Sequence, residues 1–447
     1  MATTPAITTW GKTKAKLKER KSIAYVSLMV FAFLYYMRPQ DVIPGIGMLP
    51  LEKIGGGVAL LALIFGVLPK DRGRIPSELK ILLLLLAHMI LTIPFAYWRG
   101  GAFDAVFTKF SKGVIVALLI GLIVSKVFEM RRLLFIQAGS VALVAVLSVA
   151  AHNTIAGRLY GIQKGILENP NDLAINIAIN FPLCMAFLFA ARNGFRKALW
   201  AIALVFMMYC VLVTYSRSGL IALIITMLVC LWEYGVKQKR VILLMGAGVF
   251  GVVALGICLA TPHFIERISS LWQGNIKGSG DHGSLEARET LLRQSISIAV
   301  HNPLFGVGPG NFPVVTNEWR VAHNSYTELA AEAGFPALFL FLLLFFKSFN
   351  KLGKIRKMPG YNADPDIQLW TSALWASLAA YMVGSMFAST EYNLFPYFMV
   401  GYVCALDRIA SQPLPAPAPV LGGDGTAKPM ELRQSPSKKR ELVLSRH

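Results

Sequence analysis

Apolar runs close to the length of a bilayer core recur along nearly the whole chain, and they leave few folds open. Twelve can be read, at residues 22–37, 54–69, 79–97, 110–125, 133–151, 173–191, 198–214, 218–233, 241–260, 326–346, 368–388 and 392–407. A helix rising about 1.5 Å per residue needs about 20 such residues to cross about 30 Å of hydrocarbon. Inside lipid the segment must satisfy its own backbone polar groups, which a helix does. The expected fold class is an all-α polytopic membrane protein of about twelve transmembrane helices. Charged residues make up only 15 % of the chain, against about 25 % in a soluble domain.

The net charge of +20 would suit a nucleic-acid binder if it were spread over one surface. Sorting it by topology removes that reading. With a cytoplasmic N-terminus, 31 of the 44 lysines and arginines face inward, as do 11 of the 24 acids. The whole positive excess then lies inside, as the positive-inside rule requires. Inner connections such as 70–74, 126–132, 192–197, 237–240 and 347–357 are all basic. The bilayer is the expected partner and nucleic acid is not. Both termini are expected in the cytoplasm and the functional face outside.

The basic stretch Lys12–Lys21 leads into Ser22–Met37 without a small-x-small cleavage pattern, so that run reads as a first anchor. Residues 1–21 are expected to be a basic cytoplasmic N-terminus and 22–410 the membrane domain, with an outer loop at 261–325. Residues 411–447 begin with a proline-rich stretch and continue basic and polar, as a disordered cytoplasmic tail would. Cys184, Cys210, Cys230, Cys258 and Cys404 all fall in expected spans and read as small apolar residues.

The outer loop carries the densest chemistry. Ser284 can cap a helix running to about Val300, with Leu285, Leu292, Ile296 and Ala299 at helical spacing. Arg288 falls on that stripe, and a cation on an inward face needs an anionic partner. Gly306-Val-Gly-Pro-Gly310 lacks the Lys-Ser/Thr ending of a nucleotide loop and reads as a rigid turn back to the membrane. Ser325 and Glu328 then match a capping box. His323 stands just before that helix, where the positive dipole end disfavours an imidazolium. A neutral imidazole is what a general base requires, although spacing alone favours a histidine that only caps or hydrogen-bonds locally.

Two outer turns add candidates. Thr214-Tyr-Ser-Arg-Ser-Gly219 holds Arg217 near the hydrocarbon edge, on the side positive charge avoids. A second turn offers Arg158 and Lys164, then Glu168-Asn-Pro-Asn-Asp172, where Asn169 and Asn171 can bind hydroxyls or cap the next helix. No metal is expected. Glu286, Glu289 and Glu318 show no ligand spacing, and Asp364-Pro-Asp366 falls on the inner side.

Asn302-Pro-Leu-Phe-Gly-Val-Gly-Pro-Gly-Asn-Phe312, followed by Ala322-His-Asn-Ser-Tyr-Thr-Glu-Leu-Ala-Ala-Glu-Ala-Gly-Phe-Pro336, resembles the O-antigen ligase/polymerase superfamily. The Tyr-Ser-Arg-Ser-Gly turn, the Asn-Pro-Asn before a span and one large late loop are similar too. The resemblance implies a GT-C-like membrane glycosyltransferase, with short helices in its periplasmic loop and its place in the bacterial inner membrane. It implies a glycan donor on undecaprenyl diphosphate and an acceptor hydroxyl on a glycan, lipid or protein, with no cofactor and no metal. By position, His323 matches the proposed general base, and Arg217 and Arg288 match arginines proposed to bind the diphosphate. Arg158, Lys164, Asn169, Asn171, Asn324 and Tyr326 are further candidates for substrate contact.

Two other classes compete. A transporter or flippase of lipid-linked glycan should keep ionisable groups inside its spans, where His88 is the clearest case. A membrane scaffold would tolerate loss of His323, Arg217 and Arg288. The gathering of polar groups at one face favours the enzyme.

Overall fold

A computed structural model describes residues 24–39, 56–58, 61, 75–155, 157–161, 169–240, 282–318 and 320–412, with the backbone alone for Arg217 and residues 282–286. Among these, seven helices are long and apolar enough to cross a membrane: Ser77–Phe95, Arg99–Ile123, Val127–Ala151, Pro170–Ala190, Gly194–Val213, Ser218–Val236 and Ser325–Ile355. The multi-pass helical class holds. The count differs from the twelve runs for identifiable reasons. The run 241–260 and most of 54–69 lie outside the described residues. The first run is a shorter apolar helix, Ala24–Met37. The last two runs are helices Pro365–Gly384 and Phe395–Ala410; the second is only 16 residues long, and neither is both long and apolar enough to count among the seven.

In chain order the described helices are α1 (Ala24–Met37), α2 (Ser77–Thr92), α3 (Arg99–Ile123), α4 (Val127–Ala151), α5 (Pro170–Ala190), α6 (Gly194–Val213) and α7 (Arg217–Cys230). They continue with α8 (His282–His301), α9 (Phe312–Val315), α10 (Ser325–Ile355), α11 (Pro365–Gly384) and α12 (Phe395–Ala410). A two-stranded antiparallel ribbon, β1 (Thr154–Ile155) and β2 (Arg158–Leu159), sits between α4 and α5. The run expected at 110–125 begins earlier, because a π-helical stretch from Asp104 to Phe110 continues α3 without a break.

The packing is sorted by sequence-distant pairs. α12 packs on α3, α11 on α5 and α7, and α10 on α2, while α8 lies against α10. α5 is the central helix, with sixteen of its residues buried, including Asn176 and Asn180. Those amides are not orphaned in the core. Gln137 Nε2 donates to Asn180 Oδ1 at 2.7 Å, and Asn180 Nδ2 donates back to Asn176, as buried polar groups must.

At the end of α10 that carries the basic 347–357 segment, buried acids pair with cations. Lys351 Nζ contacts Glu78 at 2.8 Å and Asp407 at 3.1 Å, which joins the ends of α2, α10 and α12. Arg356 and Lys237 both reach Glu233, at 2.6 and 2.7 Å. These pairs leave the opposite end of α10 as the place to look for unspent polar chemistry.

Candidate functional site

The opposite end of α10 is built around a break in that helix. Pro336 has no N–H, so the Glu332 carbonyl loses its ordinary helical partner. Gly334 takes φ +80°, ψ 171°, a conformation open to glycine and strained for other residues. The Phe335 amide is turned away from Ala331 and bonds Pro303 O at 2.8 Å. Two carbonyls of α10 are thereby freed, and the glycine-rich loop supplies their donors. Val307 N donates to Ala331 O at 2.9 Å and Gly308 N to Glu332 O at 2.8 Å. Gly306, Gly308 and Gly310 all have positive φ. The stretch read as a rigid turn is thus a plug that completes a kinked helix. Tyr97 N, on Val307 O at 2.9 Å, and Asn311 Nδ2, on Trp98 O at 3.2 Å, tie it to the end of α2. His88, noted inside a span, serves the same join: its ring nitrogen lies 2.8 Å from Ala333 O.

His323 sits directly before α10, with φ +55°. Its flanks are held on both sides. The Ala322 amide donates to Glu328 Oε2 at 2.8 Å. The Asn324 side chain caps the helix, accepting from Tyr326 N and Thr327 N at 3.0 and 3.2 Å. The cap is therefore Asn324, one residue earlier than the expected Ser325. Ser325 is drawn away because its hydroxyl and amide both bind Ala388 O. Burial pushes the His323 pKa down to about 4, and the nearby Arg288 and Arg320 guanidinium groups push it the same way. Burial and the two arginines thus leave the imidazole neutral at pH 7.

Arg288 arrives on α8, which runs from His282 rather than starting after Ser284. Its inward face is Leu291, Ser295 and Ala299, all at most 3 % exposed. Ile296, expected on that face, is 48 % exposed. The stripe is rotated because it meets Phe312 and the small residues Ala322, Ala330 and Ala331, a satellite core beside α10. Arg288 keeps its place on the inward side and is half-buried. Arg320, which the sequence reading passed over, joins the same positive surroundings.

A second group of candidates is held by other elements. Arg158 Nε donates to Thr214 O at 3.0 Å and its Nη2 to Asn171 Oδ1 at 2.9 Å. Ser216 Oγ also donates to Asn171 Oδ1, at 2.6 Å. Asn169, rather than Asn171, caps α5. Ser216 caps α7, so Arg217 is its first residue; the Arg217 side chain lies outside the described residues, as does Lys164. Tyr326 Oη donates to Met382 O at 2.6 Å and fastens α10 to α11.

Sequence reasoning missed a cluster of acids. Glu328, Glu332 and Glu391 are all buried, with one carboxylate oxygen of each within 4.8 Å of the others. At that distance two ionised carboxylates repel by about 3 kcal/mol at an effective dielectric constant near 20. Burial first, and then Glu332, push the Glu391 pKa up to about 8. Glu391 lies in the turn between α11 and α12, more than fifty residues from its partners, so no spacing motif announces it.

A family model described as O-antigen ligase matches residues 202–342, a stretch that contains Arg217, Arg288 and His323. The chain is 23 % identical over 332 residues to the teichuronic acid biosynthesis protein TuaE of Bacillus subtilis (strain 168). That alignment covers 66 % of this chain and 65 % of the relative, just under two thirds of its length.

Proposed function

We propose, from the premise that this multi-pass membrane protein carries an O-antigen ligase domain at residues 202–342, that it transfers a glycan from undecaprenyl diphosphate to an acceptor hydroxyl at the periplasmic face of the bacterial inner membrane. The observation that carries the reading is a neutral, half-buried His323 set among Arg288 and Arg320. Cations around a histidine are poor surroundings for an imidazolium and good ones for a diphosphate.

In the proposed step the acceptor oxygen forms a bond to the anomeric carbon while the bond to the phosphate oxygen breaks. His323 takes the hydroxyl proton. Negative charge grows on the departing undecaprenyl diphosphate, and Arg217 and Arg288 stabilise it there with charge-assisted hydrogen bonds. Displacement in a single step inverts the anomeric centre. The binding of a dianion beside the arginines also offsets their effect on His323, so the base strengthens once the donor is in place.

A growing polysaccharide as acceptor, and so a polymerase, is the second reading. It is favoured by similarity to a protein named for teichuronic acid biosynthesis. A protein hydroxyl as acceptor belongs to the same chemistry. The test uses the purified protein in liposomes with an undecaprenyl-diphosphate glycan and each acceptor class. Release of undecaprenyl diphosphate that requires both acceptor and His323 supports transfer, and the working acceptor identifies the subtype. Passage of the lipid-linked glycan across the bilayer without release would replace the transferase with a flippase.

A further inference from the structure

Glu328 and Glu332 stand one turn apart on α10, and Glu391 approaches them from the α11–α12 turn. Their exposures are 3 %, 0 % and 1 %. Glu332 is well supplied with donors: Phe312 N at 2.9 Å on one oxygen, and Gly310 N at 2.7 Å and Tyr392 Oη at 2.5 Å on the other. Glu328 accepts from Ala322 N and Ser389 Oγ. Glu391 differs, since neither of its carboxylate oxygens meets a donor in hydrogen-bonding geometry. The Ser325 hydroxyl and the Thr390 and Glu391 amides lie near it, but that hydroxyl is directed at Ala388 O, 2.7 Å away. Asn311, between the two residues whose amides hold Glu332, also keeps a buried Oδ1 without a donor. Among the described residues none of the three acids makes an ion pair, and the charge of Lys109 acts on Glu332.

We propose that Glu328, Glu332 and Glu391 bind one divalent cation of the calcium class, which ties the start of α10 and the Gly310–Phe312 loop to the α11–α12 turn. Hard cations take carboxylate oxygens, and calcium holds them at about 2.3–2.6 Å. Oxygens bound to one such ion stand no more than about 4.6–5.2 Å apart, and the three carboxylate oxygens here all lie within 4.8 Å of one another. Three carboxylates in a buried setting suit calcium, which takes about 6–8 oxygens in flexible geometry, better than magnesium, which keeps several waters and is held by one or two carboxylates. A doubly charged ion lets the three acids ionise together by displacing their protons, and gives the Glu391 oxygens the partner that buried polar atoms require. The ion's role is to hold three segments together. It takes no part in the transfer step, and the site stands whether or not the chain moves a glycan.

The experiment uses the full-length protein in detergent after treatment with EDTA. Terbium titration, with luminescence sensitised by the neighbouring Tyr392, is followed by competition with CaCl2 and by thermal melts in millimolar CaCl2 or MgCl2. The expected result is one terbium per chain displaced by calcium, a melting point several degrees higher in calcium than in magnesium, and loss of both in Glu391→Gln. Absence of binding and of any calcium shift overturns the proposal, as does binding of several ions per chain with equal response to magnesium. An infrared band of a protonated carboxylic acid that disappears in Glu391→Gln would then assign the triad to shared protons. If Glu391→Gln does not fold, the wild-type titration decides alone.

Discussion

The Ala322 amide donates to the Glu328 carboxylate across 2.8 Å, and this bond fixes the backbone immediately before His323. Together with the Asn324 cap it holds a histidine at φ +55°, a conformation that costs a non-glycine residue of order 1 kcal/mol.

Removing that anchor should separate positioning from chemistry. Glu328→Ala leaves a buried amide unpaired at a cost of about 1–3 kcal/mol, and should lower kcat about tenfold or more with a smaller change in KM. Glu328→Gln keeps an acceptor for Ala322 and should recover much of the loss. Equal damage from both, with matching melts, would show that charge rather than position is what Glu328 supplies.

The pH profile should be set by His323. Its folded pKa, about 4, lies below the ordinary histidine value of about 6.5. The unfolded chain binds more protons in that window, so this group's contribution to stability is complete above about pH 6.5 and lost as pH falls toward 4. For activity, kcat/KM reports the free enzyme and kcat the donor complex. The acid limb of kcat/KM should fall near pH 4, and that of kcat higher, because the bound diphosphate offsets Arg288 and Arg320. A single limb at pH 6.5 in both would remove the arginine influence.

Arg288→Ala should act on donor binding and on the histidine together. We expect a rise in donor KM with a fall in kcat, and an upward move of the kcat/KM acid limb. Arg288→Lys should restore charge without the two-pronged contact and rescue only part of the activity. Arg320→Ala, at an exposed position, should change the limb less and KM little.

The plug in the α10 break predicts a contrast between glycines. A Cβ on Gly334 would overlap the Leu304 carbonyl, and φ there is +80°, so Gly334→Ala should destabilise by about 2 kcal/mol or more. Gly353, further along α10, faces open space. Gly353→Ala should be neutral or stabilising by up to about 1 kcal/mol. Thermal melts of the two variants in one detergent test this directly; equal losses would deny that the plug is rigid.

The candidate site was legible unevenly. His323 and Arg288 could be singled out by their place beside a helix start and on a helix face, because helical periodicity is a local property of the chain, but the roles proposed for them come from the resemblance. Ser325 was misjudged as the cap because its competing acceptor, Ala388 O, lies sixty-three residues away. Ile296 was misplaced because a hydropathy stripe gives the width of an apolar face, whereas the partner surface sets its rotation. Arg158 and Asn171 were read as candidates for a ligand and are hydrogen-bonded to each other.

The sequence by itself determined that this chain enters a membrane as helices, since apolar runs of bilayer length admit little else. It also marked the end of the molecule where histidine, arginine and glycine gather. The tertiary structure decided what those residues do to one another. Pro336 and Gly334 break α10, the freed carbonyls are completed by a loop some twenty-five residues earlier, and Glu391 is carried in by a different turn to meet Glu328 and Glu332. Hydrogen bonds and charge repulsion act over a few ångströms of space, and residues so far apart in the chain come within that range only once the helices have packed.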